Sequence, residues 1–459
     1  MSYIGNTPGD KYLTLEKQTF TTSATDTYNL NREVSSVNDI ELFLNNVRQE
    51  PTEAYTISGT TLTLASAITA SDSMYCIYQG RSVGTQAPAT GSVTNAMLAG
   101  SIANDKLAGG IESSKLAFAS YPYRNLIING DMSIAQRGTS FTVSDNIYTL
   151  DRYLTEFGGF GGFTLSQSTD APEGFGYSLK LDCTTADASP ASGDVFQLFH
   201  RIEGQNLQHL KKGTSSAQSL SLSFWVKSNK TGNMQVNLRD APNNRIIGGV
   251  YTINTANTWE NKTLTFTGDT SGTIDNDNTE GLSLEFPIGS GSNYSSGAVP
   301  TSWETKVDAD RNAGSNINLA DSTSNYINIT GVQLEVGTSA SDFEFLPYDV
   351  NFQRCQRYFQ VFRNAGTMIG MCNGTTDVAH ITPQVTEMLR ASPTIYCSGG
   401  FVAKFGSSAK ASASTGPSNI TFTAGKIGWN FVIGGFTALT DNAPAALRTE
   451  SDMTIDAEL

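Results

Sequence analysis

Two-residue alternation of apolar and polar side chains recurs along this chain, and it constrains the fold more than any other feature. In Ser219-Leu220-Ser221-Leu222-Ser223-Phe224-Trp225-Val226 the residues Leu220, Leu222, Phe224 and Val226 share one face and Trp225 takes the other. That is the pattern of a half-buried strand. Shorter runs of strand character follow at Ser178–Leu181, Gln235–Leu238, Thr263–Phe266, Leu282–Phe286, Tyr326–Ile329 and Val332–Leu334. The chain holds 43 Gly and only 16% charged residues, with spacers rich in Ser, Thr and Asn. Strands joined by polar turns suit this composition, and helical bundles do not. The expected class is all-β, with residues 119–349 forming a β-sandwich or jelly roll.

Ahead of that unit, residues 1–85 read as a small β domain. Asp39–Leu44 alternates, Asn45-Asn46 offers a turn, and Tyr55, Ile57, Leu62 and Leu64 flank Ser58-Gly59-Thr60 as a hairpin. Met74–Tyr78 supplies a closing strand. Residues 86–118 then open on a linker-like stretch and carry a repeat. Val93, Ile102 and Ile111 are nine apart, as are Leu98, Leu107 and Leu116. This period makes no continuous heptad seam, and two apolar anchors per repeat cannot build a core alone. Packing against copies of itself would bury them, so the segment reads as an oligomeric neck. Near residue 350 the period changes again. Phe352, Cys355, Phe359 and Phe362 fall on one face of a short helix, a joint leading into a second β-rich body over 350–459 that closes on the alternating Met453–Leu459.

Charge and chemistry narrow the function. A net charge of −14 repels polyanions, so nucleic acid is not an expected partner. No apolar run approaches the roughly 18 residues of a membrane span, and Met-Ser-Tyr-Ile-Gly-Asn has no signal-peptide character. Five cysteines (Cys76, Cys183, Cys355, Cys372 and Cys397) are odd in number and widely spaced, which suits reduced, buried thiols. The three histidines, His200, His209 and His380, lie outside any nucleophile-elbow context. Asp269, Asp275, Asp277, Glu280 and Glu285 are the carboxylates a glycosidase could use, but their spacing does not pair them. No catalytic residue is assigned, and a non-enzyme is expected. Glycans are held by flat aromatic faces with polar neighbours. Trp225, Trp259, Trp303 and Trp429 are therefore the candidate receptor contacts.

Several segments, in this order, resemble bacteriophage tail-fibre proteins. They are Val37–Gln49 with Tyr55–Leu62, the Ile-x-x-x-Lys-Leu-Ala repeats at 102–108 and 111–117, and Asn125–Met132. Gln136–Thr139, Asp151–Tyr153, Ser223–Ser228, Gly331–Gly337, Cys355–Phe359 and Asp456–Leu459 complete the series. The resemblance implies an elongated homotrimer: an N-terminal attachment domain, a repeat neck, a central sandwich like a carbohydrate-binding module, and a C-terminal receptor-binding tip. It implies a tail, nozzle or baseplate protein as one partner and a host-surface glycan or other receptor as the second, on a virion assembled in the host cytoplasm. No cofactor is expected beyond a structural calcium near Asp131 and Glu335. The competing expectations are a virion-borne polysaccharide depolymerase and a purely structural fibre.

Overall fold

The computed structural model describes residues 15–79, 123–363, 367–381, 388–405, 408–412, 416–417, 419–421, 430–449 and 451–459. The six neck residues, Val93, Leu98, Ile102, Leu107, Ile111 and Leu116, lie outside these, as does Trp429. The chain divides into two compact units at residue 108. It is all-β, with many antiparallel sheets and few short helices. Among the described residues no helix is long and apolar enough to cross a membrane.

The first unit holds β1 (Lys17–Phe20), β2 (Thr27–Asn29), β3 (Ile40–Leu44), β4 (Val47–Arg48), β5 (Tyr55–Ser58), β6 (Thr61–Leu64) and β7 (Met74–Tyr78). They form two sheets, β1-β7-β3-β4 and β2-β6-β5. Both Asn45 and Asn46 have positive φ, 51° and 62°. That is what a two-residue hairpin turn demands, and asparagine tolerates it better than other side chains with a Cβ. The alternation expected of β3 and β7 is what builds the core: Ile40, Leu42, Met74, Cys76 and Tyr78 are all buried together.

In the second unit, a sandwich comprises β8 (Ser140–Thr142), β9 (Ile147–Tyr148), β10 (Tyr153–Gly158), β11 (Gly162–Ser168), β12 (Ser178–Thr185), β13 (Val195–Glu203), β14 (Leu220–Ser228), β15 (Gly232–Asp240), β16 (Arg245–Ile253), β17 (Glu260–Phe266), β18 (Glu280–Ser290), β19 (Glu304–Thr305) and β20 (Tyr326–Val336). One sheet runs β19-β16-β15-β18-β13-β10-β9 and the other β17-β14-β20-β12-β11-β8. Their inner faces enclose one core that includes Leu220, Leu222, Phe224 and Val226. Phe224 meets Tyr251 and Phe286 edge-on at 5.0 and 5.2 Å. The two short segments expected at 326–329 and 332–334 are one strand, broken in register at Gly331. That glycine has φ +61°, and a Cβ there would sit 2.7 Å from the Phe175 ring.

Both outer faces are partly covered, which alternation did not foretell. Ser221 and Ser223, on the polar side of β14, are buried. Ser221 donates to the Gly337 carbonyl, and the adjoining Gln333 and Glu335 of β20 bond to Ser341. Over the other sheet, the 291–318 segment brings Arg311 onto Glu156, Gln197 and Glu285. Burial pushes the Glu285 carboxyl above its ordinary range despite Arg311 and Arg239 nearby.

The joint at 350 is shorter than its period suggested. A helix spans Tyr348–Gln356, and Phe359–Phe362 is β21. Phe352 and Cys355 are therefore helical, but Phe359 and Phe362 are not. The aromatic and β-branched run Phe-Gln-Val-Phe gains a ladder against Met453–Asp456 instead, and such residues favour a strand where a partner is at hand.

The remaining strands are β22 (Thr367–Asn373), β23 (Asp377–Ile381), β24 (Thr394–Cys397), β25 (Phe401–Phe405), β26 (Ser408–Ser412), β27 (Asn419–Thr421), β28 (Asn430–Ile433), β29 (Pro444–Thr449) and β30 (Met453–Asp456). They build a sheet β21-β30-β24 and a second, β26-β25-β29-β22-β23-β28-β27, around Phe401, Phe431, Leu447, Met453 and Ile455. All five cysteines are buried and unbridged.

Candidate ligand-binding cleft

Polar clasps hold this second β body to the sandwich, and they shape a cleft between the two. Glu203, at the end of β13, is fully buried and accepts from Arg357 Nε and Nη2 at 2.7 and 2.8 Å. Tyr358 Oη and Gln205 Nε2 donate to it as well, each at 2.5 Å. Burial disfavours its charge, but these donors outweigh burial and hold the carboxyl below its usual range. A second clasp pairs the buried Arg152 with Glu458, while the Arg152 guanidinium lies 3.5 Å from the centre of the Tyr358 ring. Arg201 Nη1 and Tyr148 Oη reach the main-chain oxygen of Leu459 at 2.5 and 2.6 Å. Arg390 donates to the carbonyls of Asn278, Ala457 and Glu458.

The helix Tyr348–Gln356 sorts its residues by turn. Asn351 and Cys355 face inward and are buried. Asn351 donates to Asp131 at 3.0 Å, and Cys355 joins Ile128, Ile134 and Tyr358 in a small core. Val350, Gln353, Arg354 and, one residue past the helix end, Arg357 face the opposite way into open space. Across from them, the last part of β13 contributes His200, Arg201 and Ile202, and two 3-10 turns (Gly204–Asn206 and Gln208–Leu210) present Gln205, Asn206 and His209. Tyr123 and Asn125 close the side. The enclosed volume is about 480 Å³, within the roughly 300–1,000 Å³ of small-molecule sites.

Among the described residues, none that lines this cleft is a carboxylate. Three are arginines, in a chain of net charge −14. Arg357 is balanced by Glu203, and Arg201 by Glu280 at 3.2 Å. Among the described residues Arg354 donates to the Asn125 carbonyl, at 3.3 Å, and its guanidinium lies 6.0 Å from the Tyr123 ring. Among the described residues no carboxylate forms an ion pair with it, and burial lowers its affinity for its proton. His200 is wholly buried on the far wall. Its Nε2 lies 3.1 Å from both the main-chain N and O of Ile128, and burial drives its pKa well down.

Of the tryptophans singled out from sequence, the three described ones, Trp225, Trp259 and Trp303, do not line this cleft. Trp225 points outward from β14 as alternation requires, but it packs beside Gly331 next to Phe175. Phe175 also clusters with Phe343 and Phe345 at about 5 Å between rings. Trp259 donates to Asp170 at 3.1 Å, and Trp303 donates to the Thr267 carbonyl at 2.7 Å while packing on the sandwich core. Asp131 and Glu335 are engaged separately, Asp131 by Ser133 and Asn351, Glu335 by Gln333, Ser341 and Arg124. No group of three or more His, Cys, Asp or Glu side chains suited to a metal ion occurs among the described residues.

The carboxylates weighed as a hydrolytic pair are mostly spent elsewhere. Asp269 pairs with Arg245 and Lys212, Glu280 with Arg201, Glu285 with Arg311, and Asp277 caps Thr279. Sequence reading missed the cleft. The one local signal for it was the Arg354/Arg357 spacing, which sets both guanidinium groups on the same helical side.

No family model matches the chain, and no curated protein sequence matches it. Among solved structures it is similar to the enzymatically active domain of tailspike protein 4 from bacteriophage CBA120. That match covers 47% of this chain but only 22% of the other, at 16% identity and a TM-score of 0.26. A CBM4 structure aligns over 46% of this chain and 99% of its own, at 12% identity and TM-score 0.25. A family 11 carbohydrate-binding module from Clostridium thermocellum, solved with a β-1,3-1,4-mixed-linked tetrasaccharide, aligns over 44% and 98%, at 11% identity and TM-score 0.23. Likenesses this distant decide nothing about function.

Proposed function

We propose that this chain is a bacteriophage tail-fibre protein that adheres to host-surface glycan through the cleft between its sandwich and its last β body. The observation that carries the reading is the lining itself. One exposed phenol, Tyr123, lines the cleft with the exposed side chains of Asn206 and Gln205 and the guanidinium group of Arg354. An aromatic face can stack on sugar C–H groups while fixed amides and guanidinium N–H groups bond hydroxyls.

The order of tail-fibre-like segments along the sequence supports the viral setting and a homotrimer, and the nine-residue repeat supports self-association. Three weak sites on one axis would gain avidity by orders of magnitude. The first β unit would then serve attachment to the particle. Adhesion is favoured over hydrolysis because the cleft-lining residues include no carboxyl pair of the kind a glycosidase needs.

The test uses the full chain on a bacterial glycan array and on whole cells, beside Tyr123→Ala. Saturable binding that Tyr123→Ala weakens at least tenfold is expected. Binding unchanged by that substitution would place the contact elsewhere.

A further inference from the structure

We infer that the cleft selects an acidic saccharide, a sugar bearing a carboxylate, and that Arg354 receives that group. The inference rests on the glycan-binding reading above and adds the charge of the ligand.

Each of the other two arginines in the cleft has its own carboxylate behind it, Glu203 for Arg357 and Glu280 for Arg201. Arg354 is the arginine of the cleft that forms no ion pair with a carboxylate among the described residues. Its guanidinium offers five donors, of which one N–H reaches the Asn125 carbonyl at a long 3.3 Å. Glu344 lines the adjoining hollow and its charge favours the protonated guanidinium, but it forms no ion pair with Arg354 and accepts from the Asn125 main-chain N–H at 2.9 Å. Arg354 is also the one residue shared by the cleft, the adjoining space beside Val350 and Met388, and the small hollow beside Asn129 and Asp131. Holding a charged group in so enclosed a place is unfavourable unless an opposite charge arrives.

A planar carboxylate matches the guanidinium fork with two parallel hydrogen bonds. Beside it, Tyr123 is 57% exposed and can stack on the ring that carries the carboxylate. Asn206 is exposed at the rim, and its side-chain amide makes no hydrogen bond to the described residues, so it is available to ring hydroxyls. A guanidinium in a cleft also attracts an anionic ligand at short range.

The experiment is calorimetric titration of the full chain with a panel of uronic- and sialic-acid oligosaccharides, each beside its carboxyl-reduced, neutral counterpart, and with inorganic phosphate. At least one acidic member should bind tenfold or more tighter than its reduced partner, and its affinity should fall as salt rises. Arg354→Met should abolish that preference, and Arg354→Lys should restore part of it. Thermal melting of both variants checks that they fold, and the comparison of paired ligands on the unaltered chain stands whether or not they do. Neutral partners binding as well as acidic ones would overturn the inference and leave glycan binding intact. Phosphate binding as tightly as the best acidic sugar would also overturn it, in favour of a plain anion site. Binding of no member of the panel would remove both readings.

Discussion

Replacing Glu203 by Gln keeps its shape and removes its charge, and the structure sets the cost. The wild-type carboxylate is 0% exposed and receives Arg357, Tyr358 and Gln205. Taking one charge out of a buried pair costs about 3–5 kcal/mol. Arg357 keeps 25% of its side chain open to water, so the low end, about 3 kcal/mol, is expected. Unfolding entropy near 2.1 cal/mol/K per residue gives roughly 0.7 kcal/mol/K for a cooperative unit of about 350 residues, hence a Tm lowered by about 4 °C. If the last β body of roughly 110 residues melts by itself, the same loss lowers its transition by about 13 °C. Scanning calorimetry of the full chain separates the two cases.

The pH dependence follows from the depressed carboxyl. With the folded pKa below the unfolded value of 4.5, the clasp contributes fully above that value and is lost as pH falls through the folded pKa. The gap between wild type and Glu203→Gln should therefore be widest near pH 7 and close in acid. A Tm change under 1 °C at pH 7, or a gap that does not narrow in acid, would refute this account of the clasp.

Glu458→Gln should cost about 3–5 kcal/mol, since Arg152 opposite is 1% exposed. The double change Arg152→Met/Glu458→Leu should cost less than the single one in urea titration. His200 is driven well below its ordinary 6.5 by burial. The folded state therefore refuses a proton that the unfolded chain accepts, and stability should fall below pH 6.5 by up to about 1.4 kcal/mol per pH unit. His200→Gln should remove that slope in pH-dependent melting.

Much of the sandwich was legible because its strands carry their burial in period two. Leu220, Leu222, Phe224 and Val226 pack inward as their alternation requires, and Asn45-Asn46 makes its turn. The helix at Phe352 was legible at its start but not at its end, because what stops it is a ladder to Met453–Asp456 about a hundred residues away. Outer-face coverage escaped for a similar reason. A serine such as Ser221 looks solvent-facing until a segment more than a hundred residues on crosses above it. The tryptophans drew attention as single aromatics; Trp225 is half-buried beside Gly331, and Trp303 packs on the sandwich core. The cleft draws on residues near 123, 205 and 354, and no local pattern links those three places. What singles out Arg354 is that no carboxylate among the described residues forms an ion pair with it, and only the folded chain shows that.

Light scattering during size-exclusion chromatography of the full chain, mixed with a purified bacterial surface polysaccharide positive on the array, tests the adhesion claim most directly. One run reports both complex formation and polymer mass. The account predicts that protein co-elutes with polysaccharide of unchanged mass, and that Tyr123→Ala elutes separately from it. Polymer that shortens with time, or wild-type protein that elutes alone, would contradict it.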